Sequence, residues 1–343
     1  MFKKITNDGT PFIIAEVGQN HNGDLKLARE YIKVFAYEGA DAVKFQTRNN
    51  KHLFSEESYN AEYNSENAFA ATYGAHRELL ELKPEWLSIL KDDCKKYGVK
   101  FMSTPFDEPS LELIIENDIE IIKIASFDLG NLPFINKIAK QNKPVVISVG
   151  GGNHDQIISS VDLLLKNKIE VALLHCVSEY PCPFNKLGLE NIEKLTKNFP
   201  DCTIGSSDHF NGTLSGPIAY MLGARVFEKH VTLNRSNKGT DHSFALEPFG
   251  FRKFVRDIKR VRYMLPQKPL NEIGEEQVFK KLGKSLITNK NLKKGDLIKI
   301  EDLSGRIFKK QYIPVRRSNE IIGKKVLKNL EKNNIVNFTD IEN

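Results

Sequence analysis

Two periods of hydrophobicity alternate along the first 260 or so residues. Short apolar, β-branched runs recur as "FIIAEVG" (12–18), "DAVKFQT" (41–47), "VKFMSTP" (99–105), "EIIKIAS" (120–126), "PVVISVG" (144–150), "EVALLHC" (170–176), "TIGSSDH" (203–209) and "RVFEKHV" (225–231). Between them lie stretches such as "LKLAREYIKVFAYEGA", "PSLELIIEND" and "HDQIISSVDLLLKN", with apolar residues at i, i+3 and i+4. The first kind predicts buried strands and the second amphipathic helices. Eight β/α units over about 250 residues match the size of a (β/α)8 TIM barrel. Alternation alone does not show closure, so a doubly wound open sheet shares the pattern.

The segment 48–80, "RNNKHLFSEESYNAEYNSENAFAATYGAHREL", is too long for a plain strand-to-helix turn, and loops of this length are usually functional or disordered. In a barrel it would lie over the active-site face. Beyond residue 264 the pattern changes. The reading is a barrel at 1–264, a linker at 265–280 containing "LPQKPLNEIGEEQ", and a small β-rich domain at 281–343.

The strands carry polar residues where a barrel places its chemistry, at their C-terminal ends. Glu16 ends the first; Lys44 and Gln46 share a face of the second; Ser103 and Thr104 end the third. Lys123, Ser126 and then Asp128 follow on the fourth, Ser148 ends the fifth, and Ser207, Asp208 and His209 end the seventh. The eighth ends in Glu228, Lys229 and His230. Lysine is almost never buried without a partner. Lys44, Lys123 or Lys229 could each sit on an outer face and reach solvent past a helix; together they suggest a ring of cations and hydroxyls suited to a phosphate and a carboxylate. His209 and His230 end neighbouring strands and could converge on a labile Mn2+ or Mg2+, with Asp208, Glu228 and Asp241 as partners around them. Two histidines bonded separately to backbone are the plainer alternative. "VGGGNH" at 149–154 reads as a phosphate cradle or as a simple turn, and Cys176 as core.

Composition narrows the classes. Fifty Lys+Arg against 44 Asp+Glu leave a formal charge of +6. The basic residues are dispersed, which argues against a nucleic-acid partner. Four cysteines, Cys94, Cys176, Cys182 and Cys202, form no C-x-x-C pair and no disulfide framework. No 18 uncharged apolar residues run together, and "MFKKITNDGT" leads straight into the first strand without a signal-peptide core. The expectation is a cytoplasmic protein without a membrane partner.

The motifs "IAEVGQNHNGDLKLARE", "GADAVKFQT", "FMSTPFD", "IKIASFD", "HCVSEYPCP", "GSSDHF", "GARVFEKHVTL" and "GTDHSFALEP" resemble, in order, those of the sialic acid synthase family. That family condenses phosphoenolpyruvate with an N-acetylated hexosamine and includes pseudaminic and legionaminic acid synthases. The tail, with "KSLITNKNLKKGDLIKIEDL" and "IIGKKVLKNL", resembles its antifreeze-like (SAF) domain. The resemblance implies a metal on His209 and His230. It implies phosphoenolpyruvate contacts at Lys44, Thr104, Lys123, Ser126, Ser148, Ser178 and Ser207, acidic groups beside the reacting carbons at Glu16 and Asp128, and sugar contacts at Gln46, Tyr180 and Asp241. Lys44 and Lys123 would also act in catalysis by stabilising the leaving phosphate. A domain-swapped homodimer is implied as well, in which one subunit's tail caps the partner's barrel.

Three departures bear on this. Val149 stands where the family has Thr, Ser178 where it has Asn, and "SGRIFKKQYIP" replaces the K-R-P-G stretch that carries an arginine to the partner's site. Arg306 is its shifted counterpart, with Arg316 or Arg317 as substitutes. The expected function is synthesis of a nine-carbon sialic acid from phosphoenolpyruvate and N-acetylmannosamine, with a 2,4-diacetamido-trideoxyhexose as the alternative sugar. A metal-dependent aldolase and a non-catalytic sugar-binding barrel are the more distant readings.

Overall fold

The computed structural model describes residues 1–342. The chain folds as two compact units, Met1–Leu265 and Pro266–Asn343. In the first, β1 (Phe12–Gly18), β2 (Ala42–Thr47), β3 (Lys100–Pro105), β4 (Ile121–Ile124), β5 (Val145–Ser148), β6 (Val171–Cys176), β7 (Thr203–Asp208) and β8 (Val226–His230) pair in sequence order into a closed barrel. The closing pair is parallel, with Phe12 opposite Val226 and Glu16 opposite His230. The chain is therefore a TIM barrel, and the open-sheet alternative is excluded by that pairing.

Strand periodicity sorts the side chains into two cores. Outward residues such as Ile13, Ala15, Val43, Phe45, Ile122 and Val145 pack under the helices. Inward residues Phe12, Ile14, Ala42, Met102, Ile121, Val146, Ala172, Leu174 and Val226 fill the barrel, with Phe2 of the N-terminal helix (Phe2–Asp8) closing the floor. Two residues further along each of several strands the inward face turns polar: Glu16, Lys44, Thr104, Lys123, Ser148, Cys176 and Glu228 follow Ile14, Ala42, Met102, Ile121, Val146, Leu174 and Val226. Gly205 has no room for a side chain here, because a Cβ would stand 2.2 Å from the Val226 carbonyl oxygen.

The helices follow their caps and stripes. Asp24 caps Leu25–Tyr37, whose buried positions Ala28, Tyr31, Ile32 and Phe35 keep the i, i+3, i+4, i+7 spacing. Asp107, Asn131 and Asn153 cap the helices Glu108–Glu116, Leu132–Ala139 and His154–Lys166. The remaining barrel helices are Trp86–Tyr97, Asn191–Asn198, Ser215–Met221 and Pro248–Met264.

The 48–80 segment is folded. It holds three short helices, Asn50–Leu53, Glu56–Asn60 and Tyr73–Glu78, gathered around the buried His76, whose ring lies 4.6 Å from that of Tyr63. Its length signalled function or disorder; the aromatic residues supply the core that orders it.

In the second unit β9 (Lys284–Thr288) pairs antiparallel with β10 (Leu303–Ile307), over a core that includes Leu286, Ile298, Ile321, Val326 and Val336. Two turns repeat one another: Asp302 accepts from the Lys299 N–H and pairs with Lys290, and Asp340 accepts from the Asn337 N–H and pairs with Lys328.

Candidate active site

A cleft opens at the C-terminal ends of the strands, lined by Lys44, Gln46, Thr104, Lys123, Ser126, Ser148, Tyr180, Ser207, His209 and His230 among the residues the sequence singled out. Glu228, Cys176, Phe106, Phe127 and Ala125 complete the wall. Glu16, Ser178 and Asp241 stand just behind it: Glu16 on Lys44 and Gln46, Ser178 on Ser126 at 3.0 Å, and Asp241 3.6 Å from His230 Nδ1. Asp128 lies outside the cleft wall, where its carboxylate accepts from Asn131 Nδ2 at 2.9 Å. Arg306 belongs to the second unit and donates to Asn333 Oδ1 at 3.4 Å.

The cleft floor alternates charge. Lys44 Nζ is 2.7 Å from Glu16 Oε2 and 3.7 Å from Glu228 Oε2, and Lys123 Nζ is 4.0 Å from the same Glu228 oxygen. Lys44 also donates to Thr104 Oγ1 at 3.1 Å, and Ser207 Oγ to Glu228 Oε1 at 3.1 Å. All four charged side chains are buried. Burial and the neighbouring Glu228 carboxylate push Glu16 up to about 7 against the pull of Lys44. Glu228 is held at about 2, because the attraction of Lys123 and Lys44 outweighs its burial. Burial depresses the Lys123 ammonium. Two carboxylates around shared cations are thus driven to opposite ends of the acid range.

Ser148 Oγ is buried in this wall with no hydrogen-bond partner. An unpaired buried hydroxyl costs stability, which suits a group that meets a ligand. The glycine run beside it serves packing: a Cβ on Gly150 would stand 2.6 Å from Ser178 Oγ, and one on Gly152 2.3 Å from Leu129 Cδ2.

His209 and His230 face one another with ring centroids 5.3 Å apart. His209 Nδ1 lies 2.7 Å from the Val177 carbonyl oxygen, which can only accept. Nδ1 therefore donates, which leaves Nε2 as the ring nitrogen that could face a metal ion. His230 Nδ1 is buried without a hydrogen-bond partner, and burial lowers this imidazole's pKa and keeps it neutral. Both rings suit cation binding. Among the described residues no group of three or more His, Cys, Asp or Glu side chains is placed to hold a metal, so further donors would come from ligand. The Tyr180 ring covers His209 with centroids 4.0 Å apart.

Lys229 departs from expectation. It points outward from the barrel but never reaches solvent: its Nζ bonds Asp208 Oδ2 at 2.7 Å and the Phe210 carbonyl, and it is 0% exposed. The polar setting of His230 comes from Asp241 and Glu228, both expected as its partners. The i, i+2 spacing of Glu228 and His230 in a strand puts both on one face. Cys176, read as core, is buried but lines the cleft, with Sγ 4.0 Å from His209 Nδ1.

Comparison with known proteins places this geometry. The chain is 35% identical to the N,N'-diacetyllegionaminic acid synthase of Campylobacter jejuni over 94% of its length and 98% of that protein. It is 32% identical to the human N-acetylneuraminate-9-phosphate synthase, covering 95% of this chain and 91% of that one. The crystal structure of the N-acetylneuraminic acid synthetase of Leptospira borgpetersenii in complex with citrate superposes with a TM-score of 0.69 at 32% identity, over 80% of this chain and 92% of that one. Residues 31–269, most of the barrel, match the NeuB family model, and by that match and these relatives the chain belongs to the NeuB family.

Proposed function

We propose that the protein condenses phosphoenolpyruvate with an open-chain N-acetylated hexosamine, N-acetylmannosamine first, to give a nine-carbon sialic acid and phosphate. The observation that carries this reading is the pair of buried lysines, Lys44 and Lys123, in one cleft with the unpartnered Ser148 hydroxyl and the facing rings of His209 and His230. Fixed cations and hydroxyl donors in one cleft bind a phosphate and a carboxylate and hold the charge that develops as phosphate leaves. Thr104, Ser126, Ser178 and Ser207 extend that donor set. Family membership and the synthase names of the relatives support the same chemistry.

A divalent cation, Mn2+ or Mg2+, held by His209 and His230 would supply Lewis acidity toward the sugar's aldehyde oxygen. In the reaction C3 of phosphoenolpyruvate bonds the aldehyde carbon, water adds at C2, and the C2–O bond to phosphate breaks. One proton of that water ends on the new hydroxyl and the other on phosphate. Glu16, touching Lys44 and Gln46, is placed to relay the first proton; Asp128, turned to Asn131, is not. Gln46, Tyr180 and Asp241 would meet the sugar.

The second unit acts as an antifreeze-like (SAF) domain whose arginine completes the partner's site in a domain-swapped cytoplasmic homodimer. Arg316 is engaged with the Ile273 carbonyl and Glu275, and Arg317 with both oxygens of Glu320. That leaves Arg306, with its single 3.4 Å contact, as the arginine to cross. The Campylobacter relative favours a second reading, a 2,4-diacetamido-trideoxyhexose as the sugar. Phosphate release from phosphoenolpyruvate with Mn2+, with each sugar in turn and the product identified by mass, tests both. Release with neither sugar would overturn the proposal and leave a sugar-binding barrel.

A further inference from the structure

Arg48 follows β2 and lies behind the cleft wall, with its guanidinium 3.9 Å over the ring of Phe106. Its side chain is 8% exposed. Nη2 donates to Gln46 Oε1 at 2.5 Å, and Nη1 to Glu81 Oε1 at 3.4 Å. Glu81 in turn accepts from Gln19 Nε2 at 2.7 Å, while Arg77 donates to Gln19 Oε1 and to the Tyr73 hydroxyl. Hydrogen bonds thus run from the folded 48–80 segment through two arginines and two glutamines to Glu16.

The chemistry of each link fixes the next. A guanidinium has donors and no acceptor, so it can meet only the carbonyl end of an amide. With Oε1 held by Arg48, the Gln46 amide must turn Nε2 toward Glu16, where it donates to Oε1 at 2.9 Å. Gly18, at φ 55°, lets the backbone pass close to these groups. A Cβ there would stand 3.2 Å from Gln46 Nε2, 3.4 Å from Glu16 Oε1 and 3.6 Å from Asp241 Oδ2. Gln46 lines the cleft, and its Nε2 has a second proton beyond the one given to Glu16, so an amide held this way offers a sugar hydroxyl a donor. A flipped amide would offer an acceptor instead and bring the Gln46 carbonyl against Glu16.

Resting on the proposed condensation, we propose that Arg48 is a positioning residue that selects the orientation of the Gln46 amide and so sets the hydroxyl pattern the site accepts on the amino sugar. Arg48 is not part of the cleft wall. It acts through Gln46, and Glu81 Oε1 accepts from its Nη1 at 3.4 Å.

The test is a kinetic cycle on the full-length protein with Mn2+, comparing wild type, Arg48→Met, Gln46→Ala and the double variant. Arg48→Met is expected to raise the sugar's KM at least tenfold with the KM for phosphoenolpyruvate within twofold. The double variant is expected to match Gln46→Ala within twofold, because Arg48 has nothing to orient once the amide is gone. An unchanged sugar KM, or a double variant as impaired as the product of the two singles, would overturn the proposal. Arg48→Met/Glu81→Gln removes the carboxylate left facing the lost cation and is the version to use if Arg48→Met alone does not fold. Should the wild-type protein release no phosphate with either sugar, the functional reading fails by itself. Crystal structures then decide the positioning role: in Arg48→Met the Gln46 Nε2 should leave Glu16 Oε1, and retention of the 2.9 Å contact would refute it.

Discussion

Replacing Lys229 by Met removes a charge that the fold has enclosed entirely. Its Nζ is 2.7 Å from Asp208 Oδ2, and Asp208 also accepts from the Phe210 N–H at 2.8 Å and from the Ser215 hydroxyl. At an effective dielectric of about 20, charges 2.7 Å apart attract by roughly 6 kcal/mol. Desolvation offsets much of this, and truncating one partner of a buried pair typically costs about 3–5 kcal/mol because the other charge is left behind. At roughly 2–4 °C per kcal/mol for a domain of this size, Lys229→Met should lower the melting temperature by about 10 °C. The damage should also be local: Lys229 holds the Phe210 carbonyl, and the neighbouring His209 carbonyl accepts the Cys182 N–H at 3.0 Å. Thermal and urea unfolding with a chelator present isolate the stability effect from metal binding, and a cycle with Asp208→Asn measures the coupling. A loss below about 1 kcal/mol, or full additivity with Asp208→Asn, would refute the reasoning that this pair anchors the strand ends.

Other substitutions probe different parts of the site. Gly18→Ala places a methyl 3.2 Å from Gln46 Nε2 at a positive φ, and steady-state kinetics should show a loss of at least tenfold in kcat/KM for the sugar. His230→Ala should abolish turnover and the response to added Mn2+ while leaving the circular dichroism spectrum intact; residual Mn2+-dependent turnover would move the cation elsewhere. Burial raises Glu81 to about 7 against the pull of Arg48 and Arg77. Its folded form therefore binds a proton that the unfolded chain releases near 4.5, and wild-type stability falls as pH climbs from about 4.5 to 7. Glu81→Gln should gain on wild type across that window by up to about 3 kcal/mol, as urea midpoints at pH 4.5 and 8 would show.

The barrel was legible because its strands are short, apolar and evenly spaced, and each of the eight runs contains the strand that formed. The inward lysines were legible for the opposite reason, as charges in strands that should have none. Face assignment was harder. Lys44 and Lys123 share the inward parity of Glu228, whereas Lys229 takes the outward one, and three adjacent polar residues in "EKH" conceal that alternation until the neighbouring strand fixes it. Cys176 sits on the boundary between the apolar layer and the polar mouth, so its type spoke for core while its height in the strand put it in the cleft. The Arg48 and Arg77 relay could not be read at all, since its links from Arg48 to Glu81, Gln19 to Glu81, Arg77 to Gln19 and Gln46 to Glu16 span 33, 62, 58 and 30 positions and leave no local period. Order in 48–80 depended on aromatic residues packing around His76, a tertiary cause that loop length does not report.

The alternating carboxylates and ammonium groups of the cleft floor bear on how the protein behaves between turnovers. With Glu228 and Glu16 facing Lys44 and Lys123, the departure of an anion leaves no bare cation for water to solvate. On the proposed function, phosphoenolpyruvate would meet ammonium groups that carboxylates already hold in place, so its affinity should depend less on ionic strength than two free lysines at a surface would require.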